Sequence, residues 1–509
     1  VGPKTFVKRN RGCREQAYLS PTSNLIILPI FFTWIFAFNL FGSGPSTELE
    51  KGLNVLFSTP LYRGVDVGIR IEKIDGNEII FERNPSKPMI PASLVKIFIA
   101  GTGLIRFGPG YSFETPVKTD GKIINGTLEG NIYLVGMGDP GLKGENLDRF
   151  AQELKNKGIH TISGDIVYDV SFLEAMTPRY TPNARHFYAP AGALTVNYNW
   201  IELKLDDGSP ATLDMIPNTK YASLEYNIRF SRSEKPGRPE MICKPMPWGD
   251  SYTVGGTATD WDIKNKYLTL GVTRPGLYAA TLLAEGLEKA RVLFTGKPRE
   301  GVTPGTAVSL GVISSEPLIE SIRSLNRDSN NVVAELLTMD MAAYSGSVPG
   351  TRQKGLEIVE NFCKSELAFK PGEFHWDDAC GLSQGNRFTS MQITKALCYF
   401  YKRLGTLFVE TLALQGSHPS VMNPVPEPGM RVYVKTGTLS SSGVNTVAGY
   451  IINERESEKE KKEILVFAIL CNRRREGPLL YQGTLTNPVL SVILKCAAGG
   501  TDSRKQNDE

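Results

Sequence analysis

The segment that most constrains this chain is Ala92-Ser93-Leu94-Val95-Lys96-Ile97-Phe98-Ile99-Ala100, which follows a loop holding Pro85, Pro88 and Pro91. Proline just ahead of an apolar run marks a helix start, and a helix apolar on almost every side must be surrounded by other elements. The segment therefore predicts a buried helix that carries one lysine inside with it. Ser93 and Lys96 are three positions apart and share a helix face. A serine hydroxyl is a poor nucleophile until a neighbouring base takes its proton, and an amine in an apolar surround is pushed toward its neutral form. The start of the helix adds free backbone N–H groups that favour developing negative charge. Alone, S-x-x-K carries little weight, because a chain this long holds about one or two by chance. A capping serine followed by a snorkelling lysine has the same spelling.

Two further motifs change the odds. Ser329-Asn330-Asn331 fits S-x-N inside a helical region, and Lys435-Thr436-Gly437 ends an alternating strand. In this order, on a helix, a helical loop and a strand, the three form the signature of penicillin-binding proteins and β-lactamases. Each motif then has a task. Ser329 and Asn331 pass a proton and hold the substrate amide, and Lys435 with the Thr436 hydroxyl binds a terminal carboxylate. Gly437 lets the strand edge approach the substrate. The backbone N–H groups of Ser93 and Thr438 form the oxyanion hole.

Around these motifs the pattern is mixed. Residues 53–61 read as a short amphipathic helix and 67–74 as a strand, with a turn at Asp75-Gly76-Asn77 leading to a second strand at 78–82. From about 110 to 305 the chain breaks into short strands separated by Gly, Pro, Asn and Asp. Helical periodicity returns over 316–343, 351–364 and 390–404. Strands follow at 430–435, 446–452 and 464–471, then a closing helix at 485–497. The charged run 453–463 reads as a solvated hairpin tip, and the polar tail from Thr501 as disordered.

Composition excludes several classes. The net charge of +4 resides in residues 1–23, where Lys4, Lys8, Arg9, Arg11 and Arg14 face only Glu15; the remaining 52 basic and 52 acidic side chains balance. No overall field draws in nucleic acid. The apolar run 25–41 behind that basic stretch has the order of a secretory signal or an uncleaved anchor in the inner membrane, and both imply export to the periplasm or cell envelope. The seven cysteines show no C-x-x-C and no Cys/His cluster at metal spacing, so no metal site and no cofactor is read, and free buried thiols are expected.

The chain resembles the class C low-molecular-mass penicillin-binding proteins, the D-alanyl-D-alanine carboxypeptidases and endopeptidases of peptidase family S13. Beyond the three motifs, the resemblance rests on Gly130-Asn131-Ile132-Tyr133-Leu134 with Gly138-Asp139-Pro140, and on Gly164-Asp165-Ile166-Val167-Tyr168-Asp169. It continues in Tyr188-Ala189-Pro190 with Ala193-Leu194-Thr195-Val196-Asn197, in Gly381-Leu382-Ser383 with Asn386-Arg387, and in Ala448-Gly449-Tyr450. A long insert parts the family's first two motifs, and here Ser93 and Ser329 are 236 residues apart. The resemblance implies an α+β multidomain fold: a penicillin-binding transpeptidase-like domain, an antiparallel sheet flanked by helices, from 46–109 and 305–500, with β-rich accessory domains, one nested in the other, over 110–304. Residues 1–45 form the export segment and 501–509 the tail. It further implies that Asp169 and Phe172 help form a pocket for the peptide side chain. Peptidoglycan stem peptides are the implied substrates and β-lactams the implied covalent inhibitors. A β-lactamase and a non-catalytic cell-wall scaffold are the alternatives. The chain departs from the family's pattern at Asn330, where aspartate is common, and at Cys380, where D-G-S-G-L-S reads Asp378-Ala379-Cys380-Gly381-Leu382-Ser383. The second change implies altered pocket geometry or sensitivity to thiol reagents.

Overall fold

The strand Glu463–Arg473 is apolar almost without a break because both of its faces are covered. Val466, Ala468 and Leu470 enter one hydrophobic core, and Phe467, Ile469 and Cys471 enter another, the period of two that a strand imposes. Its sheet has six strands in the order Ala413–Leu414, Met430–Leu439, Val444–Asn453, Glu463–Arg473, Val65–Lys73, Ile79–Arg83, every neighbouring pair antiparallel. The chain's first hairpin thus completes a sheet whose other strands come from its far end, with Ile69 opposite Ile469. This computed structural model describes residues 45–74, 78–176, 184–208, 210–264, 267–454, 463–474, 477 and 479–499. The expected export segment, the turn at 75–77, most of the charged run and the polar tail lie outside them. Among the described residues no helix is long and apolar enough to cross a membrane.

One face of the sheet packs on the helices Pro45–Phe57 and Thr486–Gly499 through Leu49, Leu53, Leu490 and Ile493. The other packs on Val95–Phe107, Leu318–Arg327, Asn331–Ala343, Arg352–Ser365 and Ser390–Leu404. The helix Val95–Phe107 is the central one: its residues from Val95 to Leu104 are all buried. Gly101 and Gly103 explain how close its neighbours come, since a Cβ would lie 2.2 Å from the Phe400 ring at the first and 2.6 Å from Leu337 at the second. Burying Ile97, Phe98 and Ile99 contributes about 1.5–3 kcal/mol each, which offsets the cost of carrying Lys96 inside.

Residues from Val117 to Ile313 build a separate core. A five-stranded sheet, ordered Pro298–Glu300, Ile166–Asp169, Ile132–Val135, Glu114–Thr119, Val308–Ser314, a four-stranded sheet and two three-stranded sheets surround the helices Gly144–Asn156 and Pro275–Lys289. The strand Val308–Ser314 still pairs with Glu114–Thr119, so this β-rich part extends to residue 314 before the chain returns to the helices.

Two details differ from the sequence expectation. The first helix spans Pro45–Phe57 and ends before Pro60, which opens a short 3-10 turn, Pro60–Tyr62, because proline lacks the N–H to continue an α-helix. The helical stretch 316–343 is two helices, broken at Ser329, whose φ of 57° is left-handed.

Candidate active site

The nucleophile candidate lies at a bend rather than inside the helix. Ala92–Leu94 form a 3-10 turn, and the α-helix begins at Val95. In 3-10 geometry positions three apart eclipse each other, and Lys96 Nζ lies 3.0 Å from Ser93 Oγ. The same ammonium donates to Asn331 Oδ1 at 2.7 Å and to the carbonyl of Cys380. Ser93 Oγ lies 3.3 Å from that carbonyl. Lys96 has no exposed surface, so a lysine from the first motif, an asparagine from the second and a backbone oxygen from a fourth segment meet out of water.

The break that sequence patterning missed is what delivers the second motif. Ser329 takes the left-handed turn, Asn330 caps the next helix by accepting from Val333 N at 3.2 Å, and Asn331 is that helix's first residue. Asn330 Nδ2 also donates to Ser324 Oγ at 3.2 Å, so the middle residue holds the corner while its neighbours face the site. Asn331 Nδ2 donates to the Phe187 carbonyl at 2.9 Å, which ties the β-rich part to this wall.

The strand Met430–Leu439 supplies the third motif. Lys435 Nζ donates to Ser329 Oγ at 2.9 Å and to the Thr436 carbonyl at 2.9 Å. Burial pushes Lys435 well below the usual lysine range and the Lys96 charge pushes it further, with Asp328 acting in the opposite direction. On its outer side, among the described residues, this strand pairs at Tyr433 and Val434 and takes a bond from Gln415 N to the Val432 carbonyl, so the edge from Lys435 onward is left to the site. Gly437 brings that edge against the nucleophile: a Cβ there would lie 2.8 Å from Ser93 N and 2.9 Å from Ala92 Cβ. Gly381 approaches from the other side, where a Cβ would also lie 2.8 Å from Ser93 N. Thr446 Oγ1 donates to the Pro91 carbonyl at 2.8 Å and fixes the turn that precedes Ser93. Thr438 pairs with Asn445, one step beyond Gly437. Gln482 Nε2 donates to Thr436 Oγ1 at 3.2 Å.

Thus Ser93, Lys96 and Asn331 form one hydrogen-bonded set and Ser329 with Lys435 another, brought together because Ser329 and Asn331 flank one corner, with Gly437 against Ser93 N and Thr436 and Thr438 on the adjoining edge. Asp169 and Phe172 are engaged elsewhere. Asp169 accepts from Ser171 Oγ at 2.7 Å and Thr303 N at 2.7 Å; burial raises its carboxyl, but these bonds outweigh it and hold the group below the usual range. The Phe172 ring packs edge-on against Tyr344 at 5.3 Å. Tyr344 follows the C-terminus of the helix that Asn331 begins, about 20 Å from that residue at 1.5 Å per residue.

The contacts that sequence reasoning missed are mostly main-chain. The Cys380 and Phe187 carbonyls carry no residue-type signal, although the blocks around them were distinctive. The Cys380 thiol, 1% exposed, faces Asp378 at 3.6 Å. The ligating atoms of Cys380, Asp378 and Glu335 lie within 4.8 Å of one another, a grouping drawn from separate segments that no sequence spacing reveals. Both carboxylates already have protein donors: Arg352 meets Glu335 at 2.7 Å, and Gly381 N and Ser383 N meet Asp378 at 2.7 and 2.8 Å. A cavity of about 380 Å³ lined by Lys143, Asn197, Tyr198, Trp200 and Asp328 opens one residue before Ser329.

The profile of the D-Ala-D-Ala carboxypeptidase 3 (S13) family matches residues 49–479. The chain is 26% identical over 447 residues to the D-alanyl-D-alanine carboxypeptidase DacB of Haemophilus influenzae, covering 79% of this chain and 88% of that protein. It is 26% identical over 431 residues to a D-alanyl-D-alanine carboxypeptidase of Actinomadura sp., covering 80% and 78%. The crystal structure of penicillin-binding protein 4 (dacB) from Haemophilus influenzae superposes with a TM-score of 0.69 at 24% identity, over 89% of this chain and 98% of that one. A complex of that protein with a β-lactam superposes with a TM-score of 0.66. The expected fold is therefore the observed one: α+β, with an antiparallel sheet between helices and β-rich parts inserted.

Proposed function

We propose that this chain, which belongs to the D-Ala-D-Ala carboxypeptidase 3 (S13) family, is a serine D-Ala-D-Ala carboxypeptidase whose Ser93 attacks the carbonyl between the two D-alanines of a peptidoglycan stem. The observation that carries the assignment is the Lys96 ammonium, buried and shared between Ser93 Oγ and Asn331 Oδ1 at 3.0 and 2.7 Å. In its neutral form Lys96 takes the Ser93 proton as the Oγ–carbon bond forms. The developing oxyanion is received by the N–H groups of Ser93 and Thr438, and the substrate's terminal carboxylate by Lys435 and Thr436. Ser329, bonded to Lys435, relays the proton taken from Ser93 to the departing D-alanine nitrogen as the peptide bond breaks, which leaves Lys96 neutral again and Ser329 as a hydroxyl. Water then resolves the acyl-enzyme by the reverse proton path.

A β-lactam carries a strained amide and a carboxylate in the same relation and acylates the same serine. Cross-linked peptides present a D-alanine-centred bond to it as well, so endopeptidase activity belongs to the same reading. Asp169 and Phe172 help form a pocket for the peptide side chain at a distance from Ser93, through packing rather than through a free carboxylate. The protein works outside the cytoplasm, where its substrate is, and the basic and apolar N-terminal segment serves export. Labelling with a fluorescent penicillin tests the assignment. The intact chain should become covalently labelled and Ser93→Ala should not; equal labelling of the two removes Ser93 from the mechanism.

A further inference from the structure

The β-rich part touches the site on both walls. On one side the Phe187 carbonyl holds Asn331. On the other, the Arg238 guanidinium lies over the Tyr481 ring, 5.0 Å from its centroid. Tyr481 precedes Gln482, which bonds Thr436 Oγ1, and Leu480 N donates to the Ser440 carbonyl at 3.2 Å. The segment that carries Tyr481 thus runs beside the end of the strand Met430–Leu439, from Thr436 to the turn at Ser440, next to the edge that the proposed mechanism leaves to the peptide. Tyr481 is 48% exposed, so about half of its surface faces solvent.

Arg238 is delivered to that ring deliberately. Its backbone is left-handed, with φ 55°, and its N–H donates to Asp262 Oδ1 at 3.2 Å. The other oxygen of this buried carboxylate holds Gly237 N, Thr259 N and Thr259 Oγ1 at 2.8–2.9 Å. A rigid corner therefore presents the guanidinium, and its buried Nε has no hydrogen-bond partner among the described residues. The stacked ring is a partial partner for a cation, stable enough to close and weak enough to open.

We propose that the Arg238–Tyr481 contact is a clasp across the cleft that sets how readily cross-linked peptides are cut relative to uncross-linked stems. A stem ending in D-Ala-D-Ala brings one narrow chain to the strand edge, with a single residue beyond the scissile bond. A cross-linked peptide brings a second stem beyond that bond and has to part the ring from the guanidinium to lie along the edge. The proposal rests on Ser93 as the nucleophile, and its test separates the two ideas.

Initial rates would be measured for an uncross-linked pentapeptide stem and for a defined cross-linked dimer, with fluorescent-penicillin labelling and melting temperature on every variant. Arg238→Ala and Tyr481→Ala should each raise the ratio of cross-linked to uncross-linked kcat/KM about two- to fivefold, the size of one half-exposed cation–π contact. Penicillin labelling should stay unchanged. Tyr481→Phe keeps the ring and should keep the wild-type ratio. An unchanged ratio in both alanine variants overturns the clasp, and so does a fall confined to Arg238→Ala, which would make Arg238 a binding group for the dimer. Loss of labelling at Ser93 in the wild-type chain would instead be a failure of the mechanism.

Discussion

Gly437→Ala is the substitution that tests the site most directly, because it changes one methyl group at the point where the strand edge meets the nucleophile. The new Cβ would sit 2.4 Å from Thr446 Oγ1, 2.8 Å from Ser93 N and 2.9 Å from Ala92 Cβ. Ordinary van der Waals contact begins at 3.4 Å, so the strand and the Ser93 turn must separate by about 0.5–1 Å, and two of the three obstacles are held: Thr446 by its bond to the Pro91 carbonyl, Ser93 N by Gly381 behind it. A displacement of about 1 Å between reacting groups costs about 10²-fold in rate, and loss of one oxyanion donor costs about 10²–10³-fold. The strain on the fold is smaller, about 1–3 kcal/mol. Acylation by a fluorescent penicillin, followed as a second-order rate constant, should therefore fall about 10²-fold while the protein still melts cooperatively. Gly110→Ala is the control, since no atom lies within 4 Å of its added Cβ. A Gly437→Ala protein that acylates at the wild-type rate would show that the strand edge does not define the oxyanion site.

Two further predictions concern buried groups. Burial raises the Asp139 carboxyl from 3.8 to about 7, so the folded chain keeps a proton that the unfolded chain has released, and stability is lost as pH rises from about 4 through 7. The span corresponds to about 4 kcal/mol; Asp139→Asn should melt higher than wild type above pH 7 and match it near pH 4, and parallel pH–Tm curves would refute this. Cys380 acts through its carbonyl, and its thiol is covered, so Cys380→Ser should keep acylation within about threefold, under 1 kcal/mol, and small thiol reagents should leave the folded enzyme active. Rapid inactivation that Cys380→Ser resists would restore the thiol sensitivity suggested by the sequence.

What the sequence made legible is what side-chain type and period can encode. The buried helix was visible because its apolar residues leave no face for water, and the strands at 430–435 and 446–452 because alternation and turn residues bound them. The three motifs were legible as spelling, and their order supplied the chemistry. The break at Ser329 was not, because Asp328-Ser329-Asn330 continues a helical period and the left-handed residue is not glycine. The carbonyls of Cys380 and Phe187 escaped for a different reason: every residue has a carbonyl, and only the fold decides which one meets a lysine. Asp169 was legible as a strand-end carboxylate, but not the Thr303 N–H that occupies it, which comes from 134 residues further along. The Arg238–Tyr481 contact joins segments more distant still.

The two buried lysines give the site its logic under the proposed assignment. Lys96 and Lys435 are 0% and 1% exposed, and taking even one ammonium out of water is costly unless it is paired. In the resting protein Lys435 has a hydroxyl and a carbonyl as neighbours and a second lysine close by, so burial and like charge both press it toward the neutral form. A substrate carboxylate supplies the missing opposite charge at Lys435 and Thr436, and that pairing favours the protonated Lys435. Seating the carboxylate thus does two things: it orients the scissile bond, and it gives the buried Lys435 charge the partner that the resting site lacks. A peptide without a terminal carboxylate would forgo both effects, which is a physical reason for a site of this form to select chain ends and the D-centred cross-links that still carry that group.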